Sequence, residues 1–294
     1  MKRQLAVLAA FSAFVAGAQT VYTTTTAGEK MPAVRTVPRE LDVLIKAGHI
    51  QGATCSENNI YLSHQLGIEM IGWDGRLIRR VDAPAHLGDI AYANGKIYGA
   101  FVMRGLKKGE PLGLVRVWDR ELNLLREKRL NDSLDGIVVL GETIYYGVDI
   151  YGKDPHPGVR IGRLDLDLNE MGTVDLDLGY YTHYGVQTMA TDGKDIFLGN
   201  YGAPKDRGNP AGFNCTRVSA DLKVLANHSF GCSEGFCLVP KSVSKRDTTV
   251  FFAVRALGGN MQGWRKDPVN NPPQIELRFY EYADSRFTDI TAKH

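Results

Sequence analysis

Three histidines head similar phrases in this chain. His49-Ile-Gln-Gly-Ala-Thr-Cys and His86-Leu-Gly-Asp-Ile-Ala-Tyr both reach an Ile-Tyr pair eleven positions on, and His183-Tyr-Gly-Val-Gln leads to Ile196-Phe197 with small insertions. Imidazole titrates near neutrality, so residues of this kind can move protons. Two further phrases carry acids instead, Asp135 in Ser133-Leu-Asp-Gly-Ile and Glu234 in Cys232-Ser-Glu-Gly-Phe. Asp89 and Gln187 stand just inside such phrases. His64, Asp149, Asn200, Tyr201 and Arg255 stand at or near the ends of the segments that follow.

Three chemistries are open to this set. In the first, His86 or His183 is a general base or acid beside Tyr201, while Arg255 holds a carboxylate in two-point fashion; that suits elimination on an acidic sugar. In the second, Asp135 and Glu234, with Asp89 near them, are the paired carboxylates of a glycoside hydrolase. In the third, His49, His86 and His183 share a divalent metal ion that polarises water or a carbonyl. Each has a plain counterpart: histidines capping loop amides, and carboxylates bonding backbone in Asp-Gly and Glu-Gly turns. Tyr151, Tyr180, Tyr181, Tyr184, Tyr201 and Trp264 fall in or beside the same loops, and flat rings with a polar tip suit a carbohydrate. No Walker loop, dinucleotide fingerprint, nucleophile elbow, EF-hand loop or His-Glu-x-x-His occurs.

The elements that must position these residues follow from the repeat. Its period is roughly forty-six residues, with four strand-like segments per copy. In the second copy these are 89–93, 96–102, 114–119 and 124–130, separated by turns such as Ala93-Asn94-Gly95. No sustained helical period follows the first eighteen residues; 39–46 allows a turn or two. Four antiparallel strands at this spacing predict the blades of a β-propeller. Five copies predict an all-β, five-bladed propeller over 49–294, with blades at 49–85, 86–132, 133–182, 183–231 and 232–294. Residues 19–48 are an extension that crosses the blades or adds an edge strand.

At this level the chain resembles the secreted five-bladed propellers, a superfamily that includes glutaminyl cyclotransferases and arabinanase- and levansucrase-like glycosidases. Gln51-Gly52 and Ile60-Tyr61 are similar to the opening blade of a glutaminyl cyclotransferase. Where that family has Glu-Gly at the start of the next blade, this chain has Gly88-Asp89. The resemblance therefore implies architecture, and no activity is carried over.

In a propeller the loops between second and third strands share one face with the blade-to-blade connections. Four of those loops are long here, around 103–113, 151–158, 202–212 and 258–274. Long loops on a rigid scaffold are where binding and chemistry concentrate. The phrase heads converge on that face, so it is the expected working face.

Lys2-Arg3, the apolar run 5–15 and Ala16-Gly17-Ala18 read as a signal peptide over 1–18. The protein is expected to be secreted, or periplasmic in a Gram-negative host. Thirty-five basic residues against thirty-three acidic ones leave a near-neutral chain once Lys2 and Arg3 are removed. That excludes nucleic acid and anionic membranes as partners, and no segment is long enough to insert in a membrane. A small molecule or glycan is the expected ligand, with no cofactor beyond the axial ion. Four cysteines in an exported chain predict disulfides, Cys215 with Cys232 first and Cys55 with Cys237 second. The function these readings favour is a carbohydrate-cleaving enzyme, lyase or hydrolase. A non-catalytic module binding a glycan or protein is the alternative.

Overall fold

A computed structural model describes residues 20–24, 30–34, 50–65, 67–103, 110–148, 155–257 and 274–291. Strand is by far their commonest conformation, with turns and short connections between. The α-helix among them is a single turn, α1 (Lys241–Ser244), where Pro240 precedes the first helical residue. None of the described helices is long and apolar enough to cross a membrane.

Strands β1 (Thr20–Thr24) and β2 (Lys30–Val34) form their own hairpin and extend no other sheet. The rest are antiparallel sheets in chain order. One contains β3 (Ile50–Cys55), β4 (Asn59–His64), β5 (Gly67–Gly72) and β6 (Leu77–Asp82). The next contains β7 (His86–Ala93), β8 (Lys96–Val102), β9 (Gly113–Asp119) and β10 (Leu124–Leu130). These four match the segments expected for the second repeat. The last contains β18 (Phe236–Leu238), β19 (Thr249–Leu257), β20 (Gln274–Ala283) and β21 (Arg286–Asp289).

Between them the expectation of separate four-stranded units fails. A seven-stranded sheet runs through β11 (Leu134–Leu140), β12 (Thr143–Val148), β13 (His156–Asp165), β14 (Glu170–Thr191), β15 (Asp195–Gly202), β16 (Cys215–Ser219) and β17 (Val224–His228). Its cause is β14, a single strand of 22 residues. The first part of β14 pairs with β13, whereas Thr182 to Thr191 pair with β15. No turn breaks the chain where one repeat was expected to hand over to the next.

The opening strands gather at the centre. β3 lies beside β7 and β18, β7 beside β11, and β14 beside β11 and β18. Apolar clusters fill the spaces between neighbouring sheets. Phe101 and Trp118 pack with Tyr61 on one side of β7–β10, and Tyr98 packs with Ile137 and Tyr146 on the other. Each such aromatic removes 150 Å² or more of surface from water, roughly 2–3 kcal/mol apiece. The tyrosines of the repeated Ile-Tyr pairs also make long-range bonds: Tyr61 Oη reaches from the first sheet to the Arg120 carbonyl (2.9 Å), and Tyr145 Oη donates to the Ala220 carbonyl at the far end of its own seven-stranded sheet (3.0 Å).

Three outer hairpins share one turn. Leu122, Leu168 and Leu222 are buried with φ of 64°, 69° and 59°. The left-handed conformation is costly for leucine, and burial of its side chain offsets that cost. Asp119 Oδ1 accepts from the amides of Glu121 and Asn123, and Asp165 Oδ1 repeats this with Asp167 and Asn169.

Three N-x-Ser/Thr sequons occur, at Asn131, Asn214 and Asn227, and they differ in access. Asn214 Oδ1 accepts from Phe230 N (2.6 Å), and Asn227 Nδ2 donates to the Leu178 carbonyl (2.8 Å), whereas Asn131 is exposed. A glycan needs a free amide nitrogen. In a eukaryotic secretory host, peptide mass mapping should find glycan on Asn131 and none on Asn227; glycosylated Asn227 would count against this placement.

Candidate functional site

The centre of the molecule is built by irregularities in the opening strands. The ladder slips between Ile50 and Gly52, Leu87 and Ile90, Leu134 and Ile137, and on both sides of Val186. The residues skipped include Gln51, Asp89, Asp135, Tyr184 and Gln187, so each bulge carries a polar side chain. Bulges re-aim side chains and free backbone groups from the ladder. Glycines make room for the carboxylates: a methyl at Gly52 would overlap Asp89, and one at Gly88 would overlap Asp135.

Asp89 is fully buried. Its Oδ2 accepts from Met189 N (2.7 Å) and Ile137 N (3.3 Å), tying β7 to β11 and β14. Burial pushes its carboxyl well above the usual carboxylate range, and the neighbouring Asp135 adds to the rise. Asp89 was expected among the site carboxylates; it is a pin between strands, and its burial favours the neutral form. Gln187 is likewise buried and donates to the Tyr184 carbonyl (3.4 Å), so it supports the bulge.

Tyr201 follows on β15. Its phenol is pushed up to about 12 by burial first, then by the charges of Asp135 and Glu234 and by Tyr184. The structure therefore brings Asp135, Glu234 and Tyr201 into one electrostatic neighbourhood, although they come from three parts of the chain. Tyr184 sits edge-on to Tyr201 (6.4 Å between ring centres), and His183 lies against Tyr184 (6.0 Å). Tyr184 and the following Gly185 both have positive φ, which turns the tyrosine out to 50 % exposure.

Glu234 also lines a cavity of 390 Å³ with Ser233, Arg278 and Tyr280. Arg278 is partly exposed and 3.4 Å from Asp289. Neither Arg278 nor Tyr280 was expected in the site, because β20 reads as an outer strand. The sequence did hold one signal: alternation in β20 buries Leu277 and Phe279 and sets Arg278 and Tyr280 together on the other face.

Other expected site residues lie elsewhere. His64 is fully buried and 3.1 Å from Glu69, with Arg80 Nε 3.6 Å from the same carboxylate oxygen. A histidine so enclosed completes an internal polar cluster and presents nothing to a ligand. Asn200 is also internal; its Nδ2 donates to Tyr180 Oη (2.9 Å), which adjoins Thr216 Oγ1 (2.8 Å). His86 is half-buried at the first position of β7. His49, Asp149, Tyr151, Trp264 and the Arg255 side chain lie outside the described residues. Among the described residues no three His, Cys, Asp or Glu side chains are grouped to hold an ion.

All four cysteines are buried free thiols. Sγ of Cys55 and Sγ of Cys237 are 3.4 Å apart, so the expected partners meet without a bond. Cys215 hydrogen-bonds to Cys232, whose thiol is pushed well up by burial.

No protein-family model and no curated protein matches the chain. Solved structures do. A glutaminyl cyclase of Myxococcus xanthus superposes with a TM-score of 0.52 at 11 % identity, covering 81 % of this chain and 93 % of that one. The Pan2 WD40 domain of Neurospora crassa gives 0.44 at 9 % identity, covering 83 % and 65 %. BamB of Moraxella catarrhalis gives 0.36 at 11 % identity over 50 % and 39 %. The first likeness is one of fold, and the chain is a propeller-like all-β protein whose described strands form three four-stranded antiparallel sheets, one of seven strands and a two-stranded hairpin.

Proposed function

We propose that this is a secreted five-bladed β-propeller that cleaves an acidic glycan by elimination at its central mouth. On this reading β14 serves as the last strand of the third blade and the first of the fourth. Export rests on the signal-like first eighteen residues. The reaction rests on one observation: Glu234 shares its cavity with Arg278 while the neighbouring Tyr201 phenol is held protonated.

The chemistry assigns each group one step. Arg278 pairs with the substrate carboxylate, which makes the adjacent carbon more acidic. The Glu234 carboxylate takes the proton from that carbon. The electron pair left behind forms a carbon–carbon double bond, and the bond to the leaving sugar oxygen breaks. That oxygen takes the proton of the Tyr201 phenol. Proton exchange with solvent returns Glu234 to carboxylate and Tyr201 to phenol. Tyr280 and Tyr184 supply ring surface for the sugar. Arg278 takes the carboxylate-holding role first read onto Arg255, and Glu234 the base role first read onto His86 or His183.

The test is incubation with a polyuronate and, separately, with a neutral glycan. Ultraviolet absorbance of the new conjugated double bond should grow with the polyuronate alone. New reducing ends without that absorbance would replace this mechanism by hydrolysis with Asp135 and Glu234 as the pair. The binding-module reading is favoured by the exposed Tyr181 and Tyr184; retention on an immobilised glycan with no cleavage of either polymer would establish it.

A further inference from the structure

The last sheet shares no strand with either neighbour. All four of its strands, β18 to β21, are consecutive in the chain, and no strand from the beginning of the chain joins them. The first sheet, β3 to β6, is equally self-contained. The contact of β18 with β3 therefore closes the circle of opening strands without a shared ladder. On its other side, β17 ends the seven-stranded sheet and the chain crosses to β18 through 229–235. Side-chain packing alone would leave both flanks easier to part than a junction with a continuous strand, such as β14.

The cysteines stand at these two flanks. Cys55 on β3 meets Cys237 on β18, and both lie in the apolar cluster between the first and last sheets. Cys215, at the start of β16, meets Cys232, which precedes β18, in the cluster between the seven-stranded and last sheets. The members of the first pair are 182 residues apart. We infer that oxidation of both pairs fastens the last sheet on its two sides, with Cys55–Cys237 closing the circle that no shared strand closes.

Each bond forms from two thiols by exchange with a disulfide oxidant, a protein disulfide or oxidised glutathione, whose S–S bond takes up the two electrons and two protons and becomes two thiols. Thiolate is the reacting form, and burial holds the thiols of Cys232 and Cys237 protonated. Oxidation therefore belongs to folding, before the last sheet docks. The free thiols at 3.4 Å need to close to about 2.05 Å, within the adjustment of two side chains. The inference is independent of the catalytic reading, since it concerns no residue of the mouth.

Protein recovered from an oxidising secretory compartment should be digested without reduction and its peptides mapped by mass. Linked peptides joining Cys55 with Cys237 and Cys215 with Cys232 are expected. Four free thiols, or exchanged partners, would overturn the inference. Reduction should lower the unfolding midpoint by roughly 5–15 °C, the range for loss of long-loop disulfides in a domain of this size. The Cys55→Ala/Cys237→Ala protein should start with a lowered midpoint and lose less on reduction. If that variant does not fold, the wild-type midpoint with and without reductant decides, and an unchanged midpoint despite mapped bonds would sink the fastening role.

Discussion

Replacing Asp89 with alanine is expected to destabilise the protein by about 3–5 kcal/mol, a large part of a typical domain's 5–15 kcal/mol. The carboxyl is fully buried and accepts from the amides of Met189 and Ile137, which belong to two other opening strands. Alanine would strand both amides away from water, at about 1–3 kcal/mol each, and leave a void between strands. Asparagine keeps an acceptor and should cost much less. The two variants also separate in pH. In the unfolded chain Asp89 loses its proton near the ordinary value of about 3.9, whereas in the fold burial holds it on to a much higher pH. Between those values the folded state binds one more proton, so wild-type stability falls as pH rises, by up to about 1.4 kcal/mol per unit. The asparagine variant carries no such proton. Urea midpoints from about pH 4 to about pH 8 should therefore show Asp89→Asn gaining on wild type as pH rises. A variant that loses ground over that range would mean that Asp89 is buried as a carboxylate.

The strands were legible because their signal is local. Alternation and the Asn94-Gly95 turn marked β7 to β10 to within a few residues at either end. The joined strand β14 was not legible, since its turn-type residues Asp177 and Gly179, with Gly179 at positive φ, do not end the alternation that runs through Leu176 to Thr182. The site divided along the same line. The repeat sets Asp135 and Glu234 at equivalent positions of an expected circle, and in the structure the charges of both act on Tyr201. His64 could not be judged, since its partner Glu69 sits inside the apolar run Gly-Ile-Glu-Met-Ile-Gly and reads as a strand residue only. The bulges were invisible, because a slip of register leaves no trace in residue type when the neighbours are small. Those slips decide that Asp89 turns inward to amides, whereas Tyr184 turns out to solvent.

If Glu234 is the base, Glu234→Gln should cut turnover of a polyuronate by about two to four orders of magnitude, the usual loss for a proton-transfer group. Glutamine keeps the shape and removes the capacity to take a proton, so the unfolding midpoint should stay within about 1 °C, as for a partly exposed substitution. Tyr201→Phe tests the acid. It removes the proton donor but keeps the ring that packs edge-on to Tyr184, and should lower kcat by about a hundredfold or more with KM little changed. Arg278→Ala should act differently, because its interaction begins in the bound ground state. KM for the polyuronate should rise along with a fall in kcat, and high salt should weaken the wild type in the same sense by screening the ion pair. These three patterns cannot all arise from loss of structure. Asp135→Asn then separates elimination from hydrolysis. Asp135 influences Tyr201 only through its charge in the elimination, so its loss should lower the Tyr201 pKa and shift the alkaline limb of the rate profile without abolishing turnover. Complete loss in Asp135→Asn, with the midpoint intact, would make it half of a carboxylate pair and overturn the elimination. Full activity in Glu234→Gln would remove Glu234 from the chemistry altogether and return the base role to His86 or to His183, which lies against Tyr184.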